Sequence, residues 1–224
     1  MPVTIDEEII ATRAYKEFFD GAVVNLGTGI PALCAVLPHE KEKTVLIHVE
    51  LGLLGIGPPL QADEFDQRDP YLFGAGGQWL REMPGMACFD HDRSFDMIRG
   101  GHVDIAVMGA YEVSERGDLA NWFTYARGLP SIGGAMDLAA GVSKVIVTMK
   151  HATGDGKPKI VKNCSLPLTG RECVKLIITD IAVIEVTPEG LVLREIVPGN
   201  TLEEVQALTE PKLIVAGDLQ DYQL

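Results

Sequence analysis

The chain has 224 residues, 46% of them hydrophobic and 23% charged, a composition that excludes the disordered class and allows a sizeable buried core. Its 32 acidic residues outnumber 19 basic ones, and the net charge of −13 argues against nucleic acid or an anionic membrane as partner, since both require clustered Lys and Arg. Cys34, Cys88, Cys164 and Cys173 and the histidines at 39, 48, 91, 102 and 151 lack ligand or disulfide spacing, so the sequence predicts no metal site and cysteines that serve as core thiols.

The N-terminal run Met1-Pro2-Val3-Thr4-Ile5-Asp6-Glu7-Glu8 has neither a basic leader nor an apolar signal core, and no segment has the length of a membrane span. A cytoplasmic protein is expected. Residues 5–19 then place Ile9, Ile10, Ala14, Phe18 and Phe19 at helical spacing between charged residues, which predicts an amphipathic helix. The apolar run Ala22-Val23-Val24-Asn25-Leu26 predicts a strand, and Gly27-Thr28-Gly29-Ile30-Pro31 a glycine turn into a helix reaching Leu37. Such a turn can aim backbone N–H groups at an anion, although a dinucleotide fingerprint would need a third glycine and a downstream acid.

Thr44-Val45-Leu46-Ile47-His48-Val49 reads as a buried strand, and Glu50 follows it directly, ahead of glycines at 52, 55 and 57 that interrupt regular structure. An acid held at a strand end stands where the loops of an open α/β sheet diverge and leave a crevice. In that setting Glu50 reads as a nucleophile or as a turn residue. Residues 58–77, with Pro58-Pro59, Pro70 and the glycine-dense Phe73-Gly74-Ala75-Gly76-Gly77, predict a loop, either a lid or a solvated connection.

Strands are predicted at Val103–Met108 and Lys144–Met149, and a long or doubled one over Leu176–Val186. Pro188-Glu189-Gly190 marks a hairpin into Leu191–Ile196, followed by a helix over Leu202–Leu208 capped by Asn200 or Thr201 and a short last strand over Lys212–Ala216. Most of these strands are continuous apolar runs, as in strands covered on both faces. The expected fold is α/β, an open and largely parallel sheet with helices on both faces and some antiparallel hairpin pairing. With no repeat or composition break, residues 1–224 are read as a single domain.

The run Val49-Glu50-Leu51-Gly52-Leu53-Leu54-Gly55-Ile56-Gly57-Pro58 resembles the Ser-Glu-Asn-Gly-Leu-Leu-Gly-Met-Gly-Pro signature of β subunits of the family I, or 3-oxoacid, CoA-transferases. Asn25–Pro31 is similar to that family's early glycine turn, and Ser94-Phe95-Asp96-Met97-Ile98-Arg99-Gly100-Gly101-His102 to its Ser-Phe-Ala-Met-Ile-Arg-Gly-Gly-His segment. Gly117–Trp122, Gly133–Leu138 and Cys164–Gly170 resemble further signatures, and all lie in family order.

The resemblance implies that Glu50 is a covalent nucleophile that carries CoA as a glutamyl thioester between an acyl-CoA, such as succinyl-CoA, and a 3-oxo or short-chain carboxylic acid. It implies no cofactor, CoA being a substrate, and a partner α subunit in a hetero-oligomer. Gly134, spaced from Glu50 as in the family once a three-residue insertion before Tyr71 is allowed for, would supply an oxyanion N–H, and Gly27, Gly29, Gly52, Gly76, Asn121 and Gly133 are assigned to substrate binding. Acyl-CoA hydrolysis on the same fold and a binding subunit without turnover remain as alternatives.

Asn121-Trp122 reads either as a substrate contact or as a structural pair, Arg99 as a helix-end charge rather than an anion anchor, and Lys157 and Lys159 as a solvated turn rather than a phosphate clamp. Val49 and Leu51 replace the serine and asparagine that flank the family's glutamate, and Gly74 and Gly77 replace the Asn and Lys of its Asn-Ala-Gly-Lys run. Gly128-Leu129-Pro130-Ser131 is mildly similar to the 3-oxoadipate type.

Overall fold

A computed structural model describes residues 2–36, 43–74, 76–126, 128 and 132–223. Leu37, His39, Ala75 and Leu129-Pro130-Ser131 lie outside the described residues. In chain order the elements are α1 (Glu7–Tyr15), β1 (Val23–Leu26), α2 (Ile30–Leu33), β2 (Leu46–Val49), β3 (Leu53–Leu54), a 3-10 turn (Ala62–Gln67), β4 (Ala87–Cys88), α3 (His91–Arg99), β5 (Ile105–Met108), β6 (Glu112–Ser114) and β7 (Leu119–Ala120). There follow α4 (Ala135–Gly141), β8 (Lys144–Met149), β9 (Ile160–Val161), β10 (Val174–Thr179), β11 (Ala182–Thr187), β12 (Gly190–Ile196), α5 (Leu202–Ala207) and β13 (Ile214–Asp221).

Ten strands form one sheet in the order β13-β12-β11-β10-β8-β5-β1-β2-β3-β4, and β7-β6-β9 form a small second one. The central block β2-β1-β5-β8-β10 is parallel throughout, while β11 and β12 on one flank and β3 and β4 on the other pair antiparallel. Because side chains alternate between the two faces and both faces are covered, these runs are apolar at most positions. Val24, Ile47, Ile105, Val107, Ile146 and Ile178 pack under α1 and α2, while Ala106, Met108, Val145, Val147 and Ile177 pack on the other face with Ile98 of α3 and Leu138 of α4.

The expected long strand is a hairpin of β10 and β11, folded at Asp180-Ile181, and the turn at Pro188 leads into β12 as expected. Thr201 caps α5 by accepting from the Glu204 N–H while Glu204 returns a carboxylate to the Thr201 N–H. Several expectations need correction. The last strand runs to Asp221, because it pairs along β12 instead of ending at Ala216. Phe19 is 53% exposed, since α1 stops at Tyr15 and the following turn rotates it away from Phe18. Of the four cysteines only Cys34 is buried, and Cys88 is exposed. The segment predicted as loop from Pro58 contains the 3-10 turn and two bridges, Pro59 to Leu80 and Phe73 to Trp79.

The first and last parts of the chain are tied by a buried cation. Arg13 of α1 donates through Nε and Nη2 to Glu195 of β12 and through Nη1 to Glu17. Burial works against its charge, but the bonds from both carboxylates outweigh it and hold the guanidinium above its usual pKa.

Candidate active site

The parallel strands of the central block end at one edge, and the residues that follow β1, β2, β5 and β8 line a cleft of about 500 Å³. Glu50 follows β2, Gly27 follows β1, Gly109 follows β5 and Lys150 follows β8. Ile30 and Pro31 of α2 border the cleft on one side, and Gly133, Gly134, Ala135 and Leu138 at the start of α4 border it on the other.

Glu50 is held there by a reversal of the chain. Gly52 donates to the Val49 carbonyl at 2.9 Å, and β3 returns antiparallel to β2. Gly52 has φ +116°, and a Cβ on it would lie 2.0 Å from the Phe89 carbonyl oxygen. Only glycine fits this turn, so Gly52 positions Glu50 by shaping the backbone and stands outside the cleft.

The carboxylate is oriented from β1. Register pairs Asn25 with His48, and the Asn25 amide nitrogen donates to Glu50 Oε2 at 3.1 Å. The same nitrogen lies 3.2 Å from His48 Nδ1 and 3.3 Å from the His48 carbonyl. Burial pushes the His48 imidazole below its usual pKa, and the attraction of Glu50 offsets only part of this, so the ring is neutral at pH 7. Because an amide NH2 only donates, Nδ1 accepts, which leaves the Nε2 proton to be donated to Ser94 Oγ at 2.9 Å. Ser94 in turn contacts the Val49 carbonyl at 3.5 Å. Asn25, His48 and Ser94 are all buried, at 2%, 1% and 0% exposure, so this relay is shielded from water up to the carboxylate itself.

Gly134 stands opposite. It is the residue before α4, where helix N–H groups have no intrahelical partner, and a Cβ on it would lie 3.6 Å from Glu50 Cγ and 3.1 Å from the Phe95 ring. The cleft thus brings together Glu50, Gly134, Gly27, Gly29, Asn121 and Gly133 from the residues expected from sequence. Gly76 lines a small cavity of about 30 Å³ that adjoins the cleft through Gly27 and Thr28 and is lined also by Gly74 and Gln78. A Cβ on Gly74 or Gly76 would meet the Gln78 carboxamide at 2.9 Å or 2.6 Å, so Gln78 occupies the space those glycines leave.

Of the two altered flanks of Glu50, Val49 is buried in the core beneath α1 and α2, and Leu51 is 43% exposed. Asn121 lines the cleft with its Oδ1 accepting from Thr169 at 2.6 Å, while Trp122 donates to the Leu168 carbonyl at 3.2 Å. Arg99 pairs with Asp137 at 2.7 Å and joins α3 to α4, the structural role expected of it. Lys157 is exposed and pairs with Asp155. Lys159 departs from its predicted place in a solvated turn. The chain folds back after β8, the Lys159 N–H donates to the His151 carbonyl at 3.3 Å, and the side chain is half-buried in the wall of the cleft.

Asn25, His48, Ser94, Thr148 and Lys159 are the site residues that sequence reasoning missed. For Asn25 and His48 a signal existed, since each is the lone polar residue in an otherwise apolar strand, where an unsatisfied polar group is costly.

A model of the coenzyme A transferase family matches residues 7–208. The chain is 47% identical over 209 residues to the β subunit of the 3-oxoadipate CoA-transferase of Acinetobacter baylyi, covering 92% of this chain and 94% of that one. It is 49% identical over 207 residues to the protein of the same name from Pseudomonas putida, with the same coverage. Among solved structures, the acyl-CoA transferase YdiF of Escherichia coli O157:H7 superposes with a TM-score of 0.76 at 22% identity, over 100% of this chain and 44% of that longer one. The fold, the ordered motifs and these matches agree: the chain belongs to the coenzyme A transferase family and is, within it, of the β-subunit type.

Proposed function

We propose that this chain, with an α subunit, moves CoA from an acyl-CoA such as succinyl-CoA to a 3-oxo or short-chain carboxylic acid through a glutamyl-CoA thioester on Glu50. The observation that carries this reading is the Glu50 carboxylate, held by Asn25 in an open cleft with Gly134 close beside it. The relatives' names favour a 3-oxo acid, 3-oxoadipate foremost, as the acceptor.

In this mechanism Glu50 attacks the thioester carbonyl, CoA leaves as a thiolate, and a mixed anhydride joins Glu50 to the donor acyl group. The thiolate attacks the glutamyl carbonyl of the anhydride, which releases the donor acid and leaves CoA on Glu50. An acceptor carboxylate attacks that thioester, and the thiolate it expels then attacks the acceptor acyl carbonyl, restoring Glu50. Each attack passes through a tetrahedral oxyanion, to which we assign the Gly134 N–H as donor. Asn25 fixes the carboxylate in the attacking orientation. Thioester energy is conserved throughout, so the sequence of steps draws on no ATP, metal or resident cofactor. A strongly acidic chain serves the anionic CoA in this scheme because most basic contacts with CoA come from the partner subunit. A cytoplasmic setting is part of the same reading.

The test is to incubate the chain, reconstituted with an α subunit, with succinyl-CoA and to locate the adduct by peptide mass after borohydride or hydroxylamine treatment. An adduct on Glu50 together with acceptor-dependent CoA transfer is expected. No adduct at Glu50 would overturn the transferase reading, and CoA release unaffected by added acceptor acid would replace it with hydrolysis.

A further inference from the structure

We propose that Lys159 and Thr148 form a subsite for the second carboxylate of a dicarboxylic acid substrate, at the end of the cleft away from Glu50. This rests on the transferase reading and adds to it the feature by which the acid is chosen.

The cleft crosses the ends of β2, β1, β5 and β8, with Glu50 at one extreme and Thr148, Lys150 and Lys159 at the other. Three strand spacings separate the extremes, roughly 14 Å. One small carboxylate cannot touch both ends. An acid with a second carboxylate on an extended carbon chain can, with the four-carbon stem of a lysine making up the remainder.

Two groups at the far end lack partners. Thr148 is 1% exposed, and its Oγ1 is, among the described residues, the buried side-chain oxygen or nitrogen that makes no hydrogen bond. Such a group points to a missing partner, because burying a hydroxyl unpaired costs free energy. The Lys159 ammonium forms no ion pair or hydrogen bond among the described residues, although it is half-buried. Burial pushes it down to about 8, with Asp180 opposing this from a distance, so it is still mostly charged at pH 7. Lys150 differs. Its ammonium is taken up by the Ile5 carbonyl at 3.3 Å and by Asp180 at 3.7 Å. Lys159 is therefore the uncommitted cation of this wall, in a chain whose net charge otherwise repels anions.

The test compares 3-oxoadipate with 3-oxohexanoate, a monocarboxylic acid of the same length, as acceptors for the reconstituted enzyme. Lys159→Gln is expected to lower kcat/KM for 3-oxoadipate by roughly 10- to 100-fold and to leave 3-oxohexanoate within about threefold. Thr148→Val removes a hydroxyl that has no partner in the free protein, so it keeps the fold and is expected to lower 3-oxoadipate use selectively, by about fivefold. It decides the matter if Lys159→Gln does not fold. An equal fall for both acids, or no fall for either, overturns the subsite while leaving the transferase reading intact. A wild type that forms no Glu50 adduct with succinyl-CoA sinks both.

Discussion

Asn25 and Glu50 are 25 positions apart in the chain, and the amide nitrogen of one lies 3.1 Å from a carboxylate oxygen of the other. The contact is set by backbone register, because Asn25 pairs with His48 on the neighbouring parallel strand and Glu50 follows two residues later. Asn25→Ala removes the hold without adding charge, so the rate of adduct formation on Glu50 should fall about 10- to 100-fold with little change in fold. Asn25→Asp, which sets a like charge beside the carboxylate, should cost more. Stopped single-turnover measurements with succinyl-CoA separate the two, and an Asn25→Ala protein with wild-type adduct kinetics would remove Asn25 from the mechanism.

Glu50→Gln keeps the volume of the side chain and its contact with Asn25 while removing the nucleophile. Transfer should fall by at least about 10⁴-fold. The melting temperature should stay within a few degrees of wild type, since Glu50 makes no ion pair among the described residues. Residual transfer above that level would show that another group carries CoA.

A Cβ on Gly134 would lie 3.1 Å from the Phe95 ring, tighter than usual contact, and 3.6 Å from Glu50 Cγ. Gly134→Ala would press a methyl against the Phe95 ring and crowd the nucleophile, so kcat should drop about tenfold or more. Phe95→Leu in the same chain relieves the steric part. Recovery of stability without recovery of kcat in the double variant is the expected result, and full recovery of both would mean that Gly134 matters only for packing.

Acid should destabilise the fold through His151. The ring is buried between Thr179 Oγ1 and Thr209 Oγ1, each 2.9 Å from a ring nitrogen, and burial holds its pKa at about 4 against an ordinary value of 6.5. Between those two values the unfolded chain binds the proton and the native chain does not, so stability rises with pH across this window. The contribution is present above about pH 6.5 and is lost as pH falls toward about 4, amounting to about 3 kcal/mol. Denaturant melts from pH 7.5 to 4 should show that loss, and His151→Gln should flatten it. His48 and the carboxylates of other pairs set the slope that remains.

Arg13→Met leaves Glu195 buried without its partner and should cost about 3 kcal/mol of stability. Replacing both, Arg13→Met with Glu195→Leu, should recover most of that loss, since the stranded charge is then gone. Chemical denaturation of the three proteins checks this, and equal losses for single and double variants would contradict it.

The parallel block was legible because its strands are mostly apolar on both faces, and the strand, glycine turn and helix after Val23 announce themselves through Gly27, Gly29 and Pro31. Glu50 and Gly134 could be placed because the motifs around them are local. What escaped depends on contacts across the sheet. The two-residue strands β3, β4, β7 and β9 are too short to carry a periodic pattern, and they exist because neighbouring strands offer open edges. Lys159 looked like part of an exposed turn, as Lys157 is, because nothing in Gly156-Lys157-Pro158-Lys159 shows that the chain folds back onto the end of β8. Gly52 is fixed by a close neighbour, the Phe89 carbonyl, and Gly76 lies beside Gln78 and Thr28 at the edge of the cleft.

The pairing of Asn25 with His48 has a consequence for how such a protein can change over time. The orientation of the Glu50 carboxylate is written into the ladder between β1 and β2, where slipping by one residue would turn Asn25 to the opposite face of the sheet and leave a hydrocarbon side chain in its place. The residues past the end of β8 are under no such constraint, because the segment that brings Lys159 back can lengthen or change composition without moving Glu50. Under the proposed mechanism selectivity can therefore drift while the chemistry stays fixed, the two being separated by the two strands β1 and β5 of the same sheet.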